Sequence, residues 1–255
     1  MPPSSFIGVD LAWMSAKNPS GAAALRGDHN GAELHAVTGA LRSLAEVSAF
    51  IATHQAPTTV VAIDAPLIIP NQSGQRACET LVSRAYGARH ASCHTSNQTR
   101  YPDASSVALA LALVKEGYEH APSATSTRVI LEVYPHPALI ELFGLASILK
   151  YKKGSNGARA AGLHELQRLI GSLRTAEPAL RDSALLAHLL ALAPDTLRGT
   201  SRKELEDALD AVVCAYIGFH FWYWGESGST IFGDETTGYI VVPQSTGARS
   251  SRASG

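Results

Sequence analysis

Short apolar runs broken by turn residues dominate the start of the chain. Phe6–Leu11, Gly21–Leu25 and Glu33–Val37 are separated by Asn18-Pro19-Ser20-Gly21 and Gly27-Asp28-His29-Asn30-Gly31. This pattern predicts a meander of three strands, the first ending near Asp10. The period then changes. Thr38 or Ser43 is expected to start a helix in which Leu41, Leu44, Val47 and Ile51 make one apolar face. After Pro57, the run Thr58–Ile63 (TTVVAI) is β-branched and almost wholly apolar, as a strand covered on both faces should be, and Asp64-Ala65-Pro66 closes it.

Helices are predicted at Ala77–Tyr86 and Ser105–Tyr118, with the polar stretch Ala91–Pro102 between them as an exposed loop. Arg128–Val133 reads as another buried strand, and Pro137 is placed to open a helix, Ala138–Phe143, that Gly144 stops. A basic, glycine-containing loop follows at Lys150–Gly157. Helical periodicity then returns at Leu163–Leu173, Leu180–Leu192 and Lys203–Trp222, with Ser201 as the N-cap of the last and Glu204 as its capping-box partner. Gly238–Val242 is β-like, and the small polar tail Ser245–Gly255 is expected to be mobile. With no repeat and no clean linker, the order predicts one α/β domain over residues 1–245. It carries a helical insertion at about 150–200 and a disordered tail at 246–255.

Composition narrows the class. Of 255 residues, 45% are apolar and 17% charged, so a sizeable core is available and a disordered or coiled-coil chain is excluded. The formal net charge of -1 argues against a generally basic binder but leaves room for a local basic face. Cys78, Cys93 and Cys214 are odd in number and too few for a disulfide framework, which favours a reducing compartment. The N-terminus lacks the basic region of a signal peptide, and no apolar run is long enough to span a bilayer. A cytoplasmic location away from any membrane is the expectation.

The informative residues are acids set in apolar surroundings. Asp10 and Asp64 end strands, Glu132 lies inside VILEVYP, and Asp207 and Asp210 share a helix face three residues apart. Such carboxylates are costly to keep charged unless they are paired, hydrogen-bonded or bound to a cation. A crevice that gathers several of them suits Mg²⁺ or Mn²⁺, and paired divalent ions serve phosphodiester hydrolysis. Each acid also has a plain structural reading: strand terminator for Asp10, turn residue for Asp64, ion-pair partner for Glu132, Asp207 and Asp210.

Taken together, Ile7-Gly8-Val9-Asp10-Leu11-Ala12-Trp13 with Gly21, Val61-Ala62-Ile63-Asp64-Ala65-Pro66, Glu132-Val133-Tyr134-Pro135, Tyr151-Lys152-Lys153 and Asp207-Ala208-Leu209-Asp210-Ala211 resemble the DUF429 family of predicted nucleases. That family is assigned to the ribonuclease H-like superfamily, and the matching pieces span roughly residues 6–220. The resemblance implies a mixed central sheet whose first three strands form an antiparallel meander, flanked by helices. It also implies a metal-dependent nuclease site. Asp10 would be the first-strand acid, Glu132 the later-strand acid, and Asp207 and Asp210 the helical acids, these four holding the metal. Asp64 matches the second aspartate-bearing strand.

A nuclease must also hold phosphate. Residues 150–203 carry ten Lys/Arg against four acids, as a phosphate-contacting insertion would. Lys152, with Lys153 beside it, is the sharper candidate, Arg76 a weaker one, and Trp13 is placed to touch the site or a base. Two further groups have mainly structural readings. His136 lies just beyond Glu132, and the aromatics from Phe219 to Trp224 are expected to close the core at a helix end. His90, Cys93 and His94 lack the spacing of a zinc site.

The leading expectation is hydrolysis of nucleic-acid phosphodiester bonds through carboxylate-bound Mg²⁺ or Mn²⁺, with Asp10, Glu132, Asp207, Asp210, Asp64 and Lys152 as the working residues. A catalytically silent nucleic-acid-binding or scaffold protein of the same fold is the alternative. A phosphotransferase on an actin-like architecture is disfavoured by the glycine-poor run after Asp10. DNA or RNA is the expected partner, and self-association into a homodimer is left open.

Overall fold

The computed structural model describes residues 3–14, 18–123 and 126–245. Its centre is a seven-stranded sheet. Strands β1 (Ser4–Asp10), β2 (Ser20–Asp28) and β3 (Gly31–Leu41) form the predicted antiparallel meander. Strand β4 (Thr59–Asp64) pairs parallel with β1 on its other side. Next come β6 (Arg128–Glu132) and the short β5 (Glu119–His120), while β7 (Leu180–Arg181) pairs with β3 at the other edge, giving the order β5-β6-β4-β1-β2-β3-β7. This mixed sheet flanked by helices is the α/β architecture expected from the sequence. Among the described residues no helix is long and apolar enough to cross a membrane.

Alternation along the strands sorts the core into two faces. Phe6, Val60, Ala62 and Leu131 pack towards the long helix α7 (Gly199–Trp224). Ile7, Val9, Val61, Ile63 and Ile130 pack on the other side, with Val47 and Ile51 of α1 (Leu44–His54) and Leu109 and Leu113 of α3 (Ser105–Lys115). The interval between β4 and α3 contains α2 (Ala77–Tyr86) and a long connection. A separate hairpin, β8 (Ser229–Asp234) and β9 (Gly238–Pro243), lies against α2 and α4 (Pro135–Phe143). The isolated bridge Val133–Val241 joins it to the main sheet.

Helix α7 approaches the meander closely because strand glycines lie beneath it. A Cβ on Gly8 would stand 2.1 Å from both Ala211 O and Ala215 N, and one on Gly21 would stand 2.0 Å from Asp207 O. These contacts are backbone on both sides, so no side chain can move aside. The close approach sets Asp207 and Asp210 over the ends of β1 and β2. Gly8→Ala should therefore destabilise the fold by about 1–3 kcal/mol through overpacking, read as a lower urea midpoint. An unchanged midpoint would mean that α7 can lift off the sheet without cost.

Several local expectations are corrected. Strand β3 runs to Leu41, so α1 starts from Ser43, whose Oγ accepts from Glu46 N, and not from Thr38. Helix α4 begins at Pro135, two residues before Pro137. A proline tolerates either place in the first turn, where its missing N–H has no intrahelical partner. Helix α5 (Asn156–Ser172) starts seven residues before the predicted Leu163, on the N-cap Ser155. Residues predicted as the start of the next helix instead make β7 (Leu180–Arg181), paired with the β3 edge, and α6 (Ala184–Ala191) begins after the Ser183 cap. The insertion at 150–200 is thus mostly helical but adds a strand to the sheet. Helix α7 has Arg198 as its N-cap, and Ser201 lies within its first turn, so the Ser201–Glu204 capping box does not form. The stretch Ala91–Pro102 is not simply exposed: Ala91, Ser96 and Asn97 are buried, and Asn97 Nδ2 donates to Gly74 O. The tail residues 246–255 lie outside the described residues.

Candidate active site

Beyond the carboxyl ends of β1, β4 and β6 lies a cavity of about 560 Å³, where ligands of open α/β sheets bind. Asp10 and Asp64 form part of its floor. They are direct partners in the parallel register of β1 and β4, each the last residue of its strand. Neighbouring strands are about 4.8 Å apart, so the two carboxylates leave the same face of the sheet side by side. Both are part-exposed to the cavity. Neither side chain takes a hydrogen bond or ion pair from another described residue. Burial, then repulsion from Asp10, pushes the Asp64 carboxyl well above the usual carboxylate range. Asp10 is raised too, by burial and by Asp210, with Lys152 pulling the other way.

Behind them stand the acids of α7. Asp210 is fully buried, accepts a 2.6 Å hydrogen bond from Tyr151 Oη, and meets Lys152 Nζ at 2.8 Å. Burial works against the Lys152 ammonium, but Asp210 and Asp10 hold its pKa well above the ordinary lysine value. Asp207 is buried and pairs with Lys203 Nζ at 2.5 Å through Oδ1, while its Oδ2 has no hydrogen-bond partner among the described residues. Burial and then Asp10 push its carboxyl up to about 7, outweighing Lys203. Asp207 and Asp210 are a buried rear layer, and Asp10 and Asp64 face the opening. When ionised, these four acids outnumber the two ammonium groups that they face by two charges.

Glu132 is not part of this group. It is in register with Ile63, so it shares the Ile63 face and leaves the sheet opposite Asp10 and Asp64. Its carboxylate accepts two hydrogen bonds from Arg76, 2.9 Å from Nη1 and 2.6 Å from Nη2, and a third from Leu67 N. Glu132 borders the same cavity, but its carboxylate is taken up by Arg76 and Leu67 N, so the expected metal set of Asp10, Glu132, Asp207 and Asp210 does not stand ready-made. Arg76 lines the cavity beside Glu132. Its remaining nitrogen, Nε, donates to Glu79, and Nη1 also donates to Ile68 O, so this buried guanidinium is spent within the fold and not offered to phosphate. Glu79 Oε2 also accepts from Arg76 N and Ser96 N, which draws the 91–102 connection down onto the start of α2.

The basic stretch is also redistributed. Arg159 and Lys203 meet Glu206, Arg168 meets Glu165, Arg174 meets Asp182, Arg181 meets Glu33, and Arg202 bonds Asn156. Such pairs arise because successive helical turns and adjoining strands set opposite charges side by side. What reaches the cavity is one loop, carrying Lys150, Lys152 and Lys153, with Lys150 and Lys153 exposed. Trp13 is in the cavity wall as expected, its ring 4.6 Å from that of Tyr101 and nearly edge-on. The aromatic end of α7 closes the core: Phe219 meets Phe6 at 4.7 Å and Trp222 at 6.2 Å.

Sequence reasoning gave no role to Tyr151, although it stands in the Tyr151-Lys152-Lys153 run, and counted Lys203 only as bulk charge. His136 also lines the cavity. Burial, then Lys152, lowers its pKa to about 4, so its imidazole is neutral near pH 7.

Do these residues fit a divalent cation? Among the described residues no three His, Cys, Asp or Glu side chains already stand in a ligating arrangement. Two adjacent carboxylates without partners of their own, in a cluster short of two positive charges, nevertheless match Mg²⁺. That ion is usually held by one or two carboxylates, with water and substrate phosphate completing its shell.

Comparison with curated proteins finds no match, and comparison with solved structures finds none. The family described as "Protein of unknown function (DUF429)" matches residues 8–237, an interval containing every acid and lysine of the cavity and its rear layer. The chain belongs to the DUF429 family.

Proposed function

We propose that the protein hydrolyses phosphodiester bonds of nucleic acid with a divalent cation, Mg²⁺ or Mn²⁺, held by Asp10 and Asp64. The observation that carries this reading is the in-register pair of part-exposed carboxylates at the floor of a cavity that also presents three lysines. When bound, the cation would supply an activated water and neutralise charge on the phosphate. The remaining chemistry belongs to the chain. Asp10 and Asp64 project from the ends of neighbouring sheet strands, so their spacing is fixed before any ligand arrives. Asp210, braced by Tyr151 Oη, anchors the Lys152 ammonium beside both. A phosphate entering the cavity meets that ammonium together with Lys150 and Lys153. His136, neutral near pH 7, is a proton acceptor at the cavity wall and not a cation for the phosphate.

Incubating the protein with mixed single- and double-stranded nucleic acid should give cleavage that requires Mg²⁺ or Mn²⁺ and stops with chelator. Asp64→Asn should lower that rate by at least about 100-fold, since even residues that only orient metal ligands cost 10–100-fold. Binding without cleavage, in wild type and variant alike, would point to the catalytically silent alternative. Cleavage that survives Asp64→Asn unchanged would remove the carboxylate pair from the mechanism.

A further inference from the structure

Several separate segments of the chain border the cavity, which is about half open to solvent. Its walls come from the start of β1's outgoing chain, the 90–96 connection, the beginning of α4, the 148–153 loop and β9. Its volume lies in the range that encloses a small organic ligand. The lining is two-fold in character. Lys150, Lys152 and Lys153 supply positive charge beside the acids, and Trp13 and Tyr134 supply aromatic surface. Both rings are braced: Trp13 by Tyr101, and Tyr134 through Oη donating to Ser92 O at 3.2 Å. Lys152 held by Asp210, the exposed Lys150 and Lys153, and braced aromatic rings in one cavity match the two ends of a nucleotide, its phosphate and its base.

We infer that the cavity takes one unpaired nucleotide unit, with its phosphate at the lysine loop and its base against the aromatic wall. The inference rests on the phosphodiesterase reading for its choice of ligand. It adds that the substrate is a single-stranded terminus or an extruded nucleotide, and not the interior of a duplex.

Two measurements on the whole chain test it separately from that reading. In calorimetric titration with Mg²⁺ present, adenosine 5′-monophosphate should bind more tightly than ribose 5-phosphate. Trp13→Ala should weaken the nucleotide by about 5- to 100-fold, the worth of one stacked base, and leave ribose 5-phosphate unaffected. Equal binding of the two ligands, or no nucleotide binding at millimolar concentration, overturns the inference. In cleavage assays, a single-stranded oligonucleotide should be cut in preference to the interior of the same sequence as a blunt duplex. Equal cleavage of the duplex interior overturns the inference and leaves the nuclease reading intact. Nucleotide binding that depends on Trp13, without cleavage of any substrate, supports the cavity assignment and sinks the nuclease reading.

Discussion

Arg76→Ala should cost the fold about 3–5 kcal/mol, the usual penalty for removing one partner of a buried ion pair. Among the described residues the guanidinium is the one cation that pairs with Glu132 and Glu79, carboxylates that are themselves buried at 3% and 1% exposure. Burial opposes its charge, yet Glu132 holds its pKa above the ordinary arginine value. Urea or thermal unfolding would read the loss, at about 2–4 °C for each kcal/mol in a chain of this size. Arg76→Lys should rescue little, because an ammonium cannot reproduce the two-pronged contact with Glu132 while also serving Glu79. Glu132→Gln provides the discriminating partner experiment. It should lower stability and leave divalent-cation affinity unchanged, whereas a ligand role for Glu132 predicts the opposite pair of results. A loss below about 1 kcal/mol for Arg76→Ala, the worth of a surface pair, would show that the two glutamates find other partners.

The second large effect is a linkage between pH, cation and stability. Asp207 is pushed from 3.8 up to about 7, and Asp10 and Asp64 are raised in the same direction. An acid with a higher pKa folded than unfolded holds its proton more tightly in the fold. Stability therefore falls as pH rises through the window from 3.8 to about 7. At about 1.4 kcal/mol per pH unit, Asp207 alone contributes a loss on the order of 4 kcal/mol at most. In chelator, the melting temperature should thus be higher near pH 5 than near pH 8. Adding Mg²⁺ or Mn²⁺ should recover stability mainly at the higher pH, where the carboxylates are ionised and a bound ligand stabilises the fold by mass action. A melting temperature independent of pH across that window would mean that the acids carry their charge without strain. A cation effect that is larger near pH 5 would place binding elsewhere.

Much of the architecture could be read in the chain because local pattern and tertiary role agree there. The alternation in Phe6–Asp10 and the apolar run TTVVAI specify strands whose two faces are both covered, and the folded protein uses them so. Asp10, Asp64, Asp207 and Asp210 are identifiable in the sequence as acids in apolar settings and Lys152 as a lysine of a basic loop, and the fold gathers them. Glu132 shows where that reasoning runs out. Its setting, VILEVYP, is as apolar as that of Asp64, but which face a strand residue takes depends on register with its neighbour, and one residue of offset reverses it. Its partner Arg76 lies 56 residues away in sequence, beyond any local signal. The basic stretch misleads for a related reason: a sum of charges along the chain does not reveal that six of the ten face acids, Arg168 and Lys203 on adjacent turns and Lys152, Arg159, Arg174 and Arg181 on other parts of the fold. The strands β7 and β8 also escaped notice. The first is two residues long and borrows its order from the edge of β3, and the second has only partly covered positions.

The hairpin β8–β9 gives the cavity a mechanical link to the buried ion pair. Its turn residue Gly238 lies so near Arg76 that a Cβ there would be 2.9 Å from Nη1 and 2.8 Å from Ile68 O. The strand that Gly238 opens, β9, contributes Ile240 to the cavity wall and bridges through Val241 to Val133, the neighbour of Glu132. Hairpin, guanidinium and the end of β6 are thus packed against one another, so a side chain at Gly238 would disturb the Arg76–Glu132 contact together with the cavity wall at Ile240.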